Sequence, residues 1–205
     1  MLFRSASTTL QDLADAPLLN NRNNGIVATA ALMCTHYGLR NLACAGGAAI
    51  ASDGPPDLQL AWLILDAQIH WDNGAVAPVG THPPAGASFP IQISYADTAA
   101  SAALHAVRRT PRDEAIVAVA ASLQIQDSVT RARIAISGVG NAPARCTAAE
   151  WVLTGKSLTT ANIAHAAAAA AAPPGSRSDY RGSTTYRHAM ASVLTQRALE
   201  SLASN

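Results

Sequence analysis

The sequence has few aromatic residues and almost no net charge. Phenylalanine, tyrosine and tryptophan make up only 4% of its 205 residues, and the formal net charge is +1. Near-neutrality removes the electrostatic attraction that draws proteins to nucleic acid or to anionic membrane surfaces. Because the chain also has neither a basic run nor an acidic tail, we expect no nucleic-acid or membrane partner.

Cysteines and long apolar runs are also scarce. Cys34, Cys44 and Cys146 are odd in number and widely spaced, a pattern that favours neither a disulfide framework nor a metal-binding knuckle. No stretch has the length and apolarity of a membrane span, and the first 17 residues lack the apolar core and cleavage site of a signal peptide. We therefore expect a cytoplasmic protein with reduced cysteines.

The histidines do not suggest a metal centre. There are six of them. None forms an i, i+4 pair, and none lies at ligand spacing from a cysteine, so the sequence predicts no metal site.

Alanine supplies most of the apolar content, which is 49% of the chain. Alanine buries little area per residue, so a core built from it requires closely packed layers. The length suits one domain or two small ones.

The first part of the chain mixes helical and extended patterns. Residues 2–15 predict a short strand and then a helix capped by Thr8 or Thr9. Residues 25–38 have apolar residues at helical spacing and end at Gly38, a natural helix stop. Residues 58–80 begin with an apolar run, which favours buried extended structure leading into a hairpin.

A Pro- and Gly-rich stretch at residues 79–91 predicts a linker. Beyond it the pattern indicates strands and then helices. The predicted strands are residues 91–98, 102–110, 115–127 and 130–140, and the predicted helices are residues 147–155, 158–172 and 184–203. We therefore predict an α/β lobe over residues 1–78 and a sheet with helices over residues 92–205.

Some side chains have two interpretations. Trp62 and Trp71 alternate with aliphatic residues, which is typical of core or subunit-contact positions. Arg108, Arg109 and Arg112 cluster before an acidic step. They indicate either a solvated turn or a contact to a partner subunit or a ligand phosphate.

The last helix has a predicted apolar stripe at i, i+4, i+7, i+8 and i+12. Its members are Tyr186, Met190, Val193, Leu194 and Ala198.

A glycine pair in residues 39–67 raises a functional question. Gly46 and Gly47 lie in a run of small residues, followed by Asp53 and Asp57. Glycines allow the main chain to approach a flat or charged ligand without a Cβ in the way. A turn between helix and strand is the alternative explanation.

Three stretches of the second half carry a family resemblance: residues 108–125, 132–158 and 178–199. In this order and spacing they resemble the C-terminal domain of the flavin-binding medium subunit of molybdenum hydroxylases. That family includes the flavoproteins of aerobic carbon monoxide dehydrogenase and xanthine dehydrogenase. The resemblance implies an α+β fold, with a PCMH-like second FAD-binding subdomain followed by the C-terminal domain, an antiparallel sheet with helices.

Residues 39–58 are similar to the family's second flavin loop, whose usual turn is roughly Thr-Ile-Gly-Gly-Asn. Here the turn is Cys44, Ala45, Gly46, Gly47 and Ala48. The resemblance implies that this backbone approaches FAD and that Asp57 reaches the polyol or ring edge of the cofactor. Nothing in this chain corresponds to the first FAD subdomain with its glycine-rich pyrophosphate loop, so we expect an N-terminally truncated member.

Two function classes follow, and a purely structural subunit is a third possibility. The first is a flavoprotein-like oxidoreductase component that passes electrons through FAD held between the lobes, with iron–sulfur and molybdenum subunits or a second copy as partners. The second is a cofactor-free scaffold whose emptied cleft binds a bulky organic substrate for a cyclisation or isomerisation. Its candidate catalytic residues are His36, Tyr37 and Asp53, with Asp57 as a further polar group.

Overall fold

The computed structural model describes residues 2–34, 36–51, 56–96, 98, 100–110, 113–171 and 177–204. The predicted catalytic Asp53 and the turn residue Arg112 lie outside the described residues. The predicted α+β class is confirmed, with helices packed on two antiparallel sheets.

The first lobe begins with a strand and a series of short helices. The elements are β1 (Leu2–Ser5), α1 (Leu10–Asp15), α2 (Pro17–Asn20), a 3-10 turn (Asn23–Gly25), α3 (Ile26–Met33), α4 (Tyr37–Arg40), α5 (Ala45–Ile50), α6 (Pro56–Ile64), β2 (Gln68–Trp71), β3 (Val76–Pro78) and β4 (Pro90–Tyr95).

The second lobe has its strands first and its helices last. The elements are β5 (Ser101–Val107), β6 (Val117–Ile125), β7 (Val129–Ser137), β8 (Ala144–Arg145), α7 (Thr147–Leu153), α8 (Thr160–Ala170) and α9 (Thr184–Ala203). The predicted strands and helices of this half are therefore present, with shifts of a few residues at their ends.

β4 joins the first sheet, whose strand order is β1-β4-β2-β3. Ile93 of β4 lies opposite Arg4 on one side and Ile69 on the other. The sequence pattern assigns this strand to the second lobe, but its hydrogen bonds place it in the first. The division into domains at residues 78 and 92 stays a prediction.

The second sheet, with order β5-β6-β7-β8, separates two layers of core. Side chains alternate between the two faces of a strand. Val117, Val119 and Leu123 of β6 pack with the residues of α7, α8 and α9. Ala118 and Ala120, on the opposite face, belong to the core of the first lobe. One continuous core therefore crosses from the first lobe to the second sheet.

α6 is the helix that covers this alanine face, and the extended structure predicted for it is wrong. Leu58, Leu60, Ala61, Trp62 and Ile64 are all at most 2% exposed. A helix buried on every side has a continuous apolar sequence, which periodicity cannot distinguish from a buried strand. The predicted core position of Trp62, and that of Trp71 in β2, is confirmed.

Helix caps are mostly where the sequence predicts them. Thr9 forms a capping box with Asp12, and the hydroxyls of Thr159 and Ser183 accept hydrogen bonds from backbone N–H groups three residues ahead. The predicted helix stop at Gly38 is wrong, because α3 ends at Met33 and Gly38 lies within α4.

The predicted apolar stripe of the last helix is only half correct. Tyr186 and Val193 are each 39% exposed, whereas Leu194 and Ala198 are buried. The buried face instead includes Arg187, whose guanidinium donates to the carbonyl oxygens of Ile116 (2.6 Å) and Gly138 (2.7 Å). The buried face of α9 is therefore displaced by one residue from the predicted apolar stripe, so that it includes this guanidinium.

A cross-lobe ion cluster surrounds Asp66, which follows α6 with a left-handed backbone (φ 49°). Its carboxylate accepts from Arg131, from Arg133 at 2.8 Å and from Arg145 at 2.6 Å. Arg145 also donates to Glu150 at 2.6 Å. Burial raises the pKa of Asp66, but hydrogen bonds and charges from the three arginines outweigh this effect and leave the pKa below its usual value.

Replacement of Asp66 by alanine should lower the free energy of unfolding by about 1–3 kcal/mol, because three arginines lose a charged acceptor. Folding lowers the pKa of Asp66, so its stabilisation is present above the unfolded-state pKa and is lost as pH falls through the folded-state pKa. Urea unfolding should therefore show a smaller difference from wild type at about pH 3 than at about pH 7.

Asp127→Ala is the matched control for this experiment, because Asp127 is an exposed carboxylate between β6 and β7. Its effect should stay within about 0.5 kcal/mol. Equal stability of Asp66→Ala and Asp127→Ala at neutral pH would contradict the proposed role of the cluster.

Candidate functional site

The predicted flavin turn is the first turn of α5. Cys44 is the residue before the helix, and its Sγ accepts a hydrogen bond from Gly47 N at 3.4 Å. A thioether or thiol sulfur is a weak acceptor. Cys44 therefore caps the helix in the way that a hydroxyl residue would, but more weakly.

Most backbone N–H groups of this turn already have acceptors inside the chain. Ala45 N donates to Thr8 O and Gly46 N to Ala6 O, both at 2.8 Å, and Ala48 N donates to Cys44 O at 3.0 Å. Among residues 45–48, the N–H of Gly47 is the one with no oxygen acceptor in the described part of the chain. A ligand phosphate that approached this turn would therefore have one N–H group within reach.

The two glycines of the pair have opposite surroundings. Gly46 is buried, and a Cβ added to it would lie 2.7 Å from Ala6 Cβ and 2.9 Å from Pro90 Cγ. Gly47 is exposed, and a Cβ there would meet only Cys44 Sγ, at 3.4 Å. Ala45 and Ala48 are buried as well. Cofactor contact at residues 44–48 stays a prediction, and Gly47 is its accessible position.

Gly46→Ala should lower the free energy of unfolding by about 1–3 kcal/mol, since the new methyl overpacks the contact with Ala6 and Pro90. Gly47→Ala, one residue away, should be neutral or stabilising by up to about 1 kcal/mol because alanine favours helix. Thermal and urea unfolding of both variants measure this contrast. Equal losses at the two positions would show that the close packing at Gly46 is wrong.

Asp57 forms a buried ion pair between the lobes. It lies in the first turn of α6, is 3% exposed, and accepts from Arg108 Nη2 at 2.5 Å. Burial raises the pKa of Asp57, although the hydrogen bond and charge of Arg108 oppose this effect. Its other oxygen, Oδ1, has no hydrogen-bond partner in the described part of the chain. The predicted polyol contact of Asp57 thus competes with Arg108.

Cys34 lies close to this pair but is not a candidate nucleophile. Its Sγ donates to Ala30 O at 3.0 Å. Burial, together with the negative charge of Asp57, raises the pKa of the Cys34 thiol to about 12. Only the thiolate is reactive, and a thiol with this pKa stays protonated at neutral pH. Cys34 is therefore a structural residue of the core.

Arg108→Gln should lower the free energy of unfolding by about 3–5 kcal/mol, because it leaves the Asp57 charge buried without its counter-charge. Since the folded-state pKa of Asp57 is raised, protonation at lower pH relieves the unpaired charge. The loss should therefore be smaller at about pH 5 than at about pH 8. Urea unfolding at the two pH values measures this dependence.

The control is Arg109→Gln, because Arg109 is 61% exposed and its pair with Asp113 spans 3.5 Å. It should change stability by less than about 1 kcal/mol. The double variant Asp57→Asn/Arg108→Gln should recover part of the loss. A pH-independent loss in Arg108→Gln would contradict the charge argument.

A cleft of about 350 Å³ opens where the lobes meet, and we name it the polar cleft. Pro56 at the start of α6 lines one side, and the segment from Ser137 to Pro143 lines the other, with Glu114 and Arg177 at the rim. Ser137 is 3% exposed, and its Oγ has no hydrogen-bond partner among the described residues.

A second cleft, of about 270 Å³, lies between α5, α6 and residues 79–83, and we name it the apolar cleft. It shares Ala142 and Pro143 with the polar cleft.

Two of the three candidate catalytic residues, His36 and Tyr37, are absent from the lining of the polar and apolar clefts. His36 and Tyr37 are exposed at the start of α4, with Tyr37 65% exposed, and neither lines a cleft. The catalytic roles of His36 and Tyr37 stay predictions.

Metal and membrane features are also lacking in the described ranges. No group of three or more His, Cys, Asp or Glu side chains there is arranged to hold a metal ion. Likewise, no described helix has both the length and the apolarity to span a bilayer.

Sequence reasoning missed the partners of Arg108 and Arg145. Asp57 and Arg108 are 51 residues apart, and Asp66 and Arg145 are 79 apart. No local spacing pattern reports such pairs, so only the fold reveals them.

Comparison with known proteins matches residues 102–202 to the CO dehydrogenase flavoprotein C-terminal domain family. A comparison with curated proteins gives no significant match. Among solved structures, the chain is similar to reconstituted CO dehydrogenase from Oligotropha carboxidovorans, with 25% identity and a TM-score of 0.85 over 98% of this chain and 75% of that chain.

Two further structures show the same fold. Quinoline 2-oxidoreductase from Pseudomonas putida 86 has 24% identity and a TM-score of 0.86, and covers 99% of this chain and 75% of that chain. Carbon monoxide dehydrogenase from Hydrogenophaga pseudoflava has 24% identity and a TM-score of 0.84, with 98% and 75% covered. These matches confirm the resemblance predicted from residues 108–199.

Proposed function

We propose that this chain, a relative of the FAD-binding medium subunits of molybdenum hydroxylases, is a component of an oxidoreductase that holds the ring of a flavin in the polar cleft. The observation that carries this proposal is the position of the cleft at the junction of the two lobes, where Pro56 of the first lobe meets lining residues of the second. Its volume, about 350 Å³, lies in the usual range of about 300–1,000 Å³ for ligand pockets.

Two buried polar atoms suit the ring edge of a flavin. Ser137 and Pro56 line the cleft, and Asp57 is the residue after Pro56. Ser137 Oγ and Asp57 Oδ1 are buried beside the cleft and have no hydrogen-bond partner among the described residues, so a small side-chain movement would bring them to a ligand. A hydroxyl can donate and accept, whereas a carboxylate accepts only. A ring edge with an N–H and carbonyl oxygens offers both kinds of partner to these unsatisfied atoms.

The phosphates of FAD fit this chain poorly. A diphosphate is bound by backbone N–H groups or cations, and the N–H groups of residues 45, 46 and 48 have carbonyl acceptors of their own. We infer that another polypeptide supplies the diphosphate contacts. When bound, the flavin supplies the redox chemistry, while the residues of this chain position its ring and keep water away from it.

Exposed apolar side chains support an assembly with partner subunits. Leu32, Tyr37, Leu39, Leu42 and Ile50 are between 45% and 81% exposed on consecutive elements from α3 to α5. Exposed apolar patches often mark protein–protein contacts. Iron–sulfur and molybdenum subunits are the partners that the family relationship suggests, and a second copy of this chain is the alternative.

The cofactor-free scaffold remains the second candidate, and the occupied N–H groups of α5 favour it. On this reading the polar cleft binds an organic substrate for a cyclisation or isomerisation. The exposed positions of His36 and Tyr37 speak against them as its acid and base groups.

The visible spectrum and fluorescence of riboflavin and FAD during titration with the pure protein separate the candidates. Both flavins should bind, with affinities within about tenfold of each other, because this chain is expected to make no hydrogen bond to the phosphates. Even one charge-assisted hydrogen bond to phosphate would add about 1.5–3 kcal/mol and favour FAD by more than tenfold. Asn141→Trp, at the exposed rim of the polar cleft, should weaken both.

Gln126→Trp, at an exposed position between β6 and β7, is the control and should bind both flavins as wild type does. An unchanged spectrum with either flavin would rule out the flavin proposal and leave the cofactor-free scaffold. Binding of FAD far tighter than riboflavin would instead show that this chain has its own phosphate site.

A further inference from the structure

The apolar cleft is a second open cavity, with a lining unlike that of the polar cleft. Ile50, Leu63 and Val79 form its walls, and Thr81 and His82 lie at its rim. His82 is the only titratable residue among the described residues that line it. A charged ligand would lose part of its hydration here and find no fixed counter-charge among the described lining residues, which is costly.

Gln59 gives this cleft one fixed polar atom. Its side chain is 8% exposed, and its Nε2 donates to Ala48 O at 3.1 Å and to Ala51 O at 2.8 Å. Because both neighbours are carbonyls, which only accept, the amide nitrogen must face α5. Oε1 therefore lies on the side of the amide away from α5, and Gln59 is one of the residues that line the cleft.

Oε1 of Gln59 accepts no hydrogen bond within the described ranges and is not among the fully buried polar atoms, so this acceptor is accessible to a ligand donor. The amide cannot rotate to satisfy Oε1 without breaking its two hydrogen bonds to α5. The site is thus preorganised for one N–H or O–H group.

We propose that the apolar cleft binds a small, uncharged aromatic molecule of about two fused rings, which donates one hydrogen bond to Gln59 Oε1. The volume of about 270 Å³ is near the lower end of the range for ligand pockets, and the aliphatic walls favour an apolar body. This site is distinct from the one proposed for flavin, with which it shares only Ala142 and Pro143.

Indole is the probe, and 1-methylindole, which has the same rings but no N–H, is its matched control. Titration followed by amide chemical shifts should place indole beside Ile50, Ala51, Gly80 and Thr81. The affinity for 1-methylindole should be about three- to tenfold lower, as expected for one lost hydrogen bond. This comparison leaves Gln59 in place, because replacing it would also remove its hydrogen bonds to α5.

Two surface variants test the location. Ile50→Trp fills the mouth of the cleft at a position that is 45% exposed, and should weaken indole binding at least tenfold. Leu42→Trp, at a position 81% exposed and outside the cleft, should not weaken it. Absence of indole binding, or shifts located elsewhere, would overturn the proposed site. Equal affinities for the two probes would overturn the hydrogen bond to Gln59.

Flavin titrations of Ile50→Trp keep this inference separate from the proposed function. Ile50 does not line the polar cleft, so riboflavin binding should be unchanged while indole binding is lost. Loss of both ligands in this variant would show that the two clefts are one site, which contradicts a separate aromatic site.

Discussion

The packing of α6 against the alanine face of the second sheet is the contact on which the rest of the structure depends. Ala118 and Ala120 of β6 and Ala135 of β7 present only methyl groups to the first lobe. A helix can approach such a flat face closely, so the small area buried by each alanine is offset by dense packing. These alanines therefore form a densely packed interface between two layers instead of a weakly stabilised core.

Charges at the two ends of α6 fix its position on this face. Asp57 in its first turn pairs with Arg108, and Asp66 just beyond its last turn accepts from arginines of β7 and β8. The Asp57 pair is nearly dry, so breaking it costs more than forming it gains. The cluster at Asp66 is partly solvated and is therefore a weaker but more adaptable link.

The location of open space follows from this tight contact. Because α6 closes the middle of the junction, the clefts lie at its edges, on either side of Ala142 and Pro143. The two clefts differ in polarity because different residues line them. The polar cleft is lined by loop backbone and charged rim residues, whereas the apolar cleft is lined by the sides of two helices and holds the single fixed amide of Gln59.

The sequence predicts most of the second lobe and less of the first. The strands β5, β6 and β7 carry regular side-chain patterns and clear turns, and hydroxyl caps such as Thr9 and Ser183 mark helix starts. α6 was not predictable as a helix, because burial on all sides removes the periodicity that distinguishes helix from strand. The different surroundings of Gly46 and Gly47 could not be predicted from the sequence either, since the close contacts of Gly46 are with Ala6 and Pro90, which are distant in sequence.

Cys44 and Ala48 differ from the turn that residues 39–58 resemble, and the two differences have different structural consequences. Cys44, in place of a threonine, keeps the helix-capping contact through Sγ but offers a poorer acceptor and donor to a ligand. Ala48, in place of an asparagine, is buried and offers no polar group at all. The residues that build the start of α5 are thus retained, whereas those that could bond a cofactor through their side chains are reduced. Any ligand of this turn would therefore meet backbone and apolar side chains more than polar side chains.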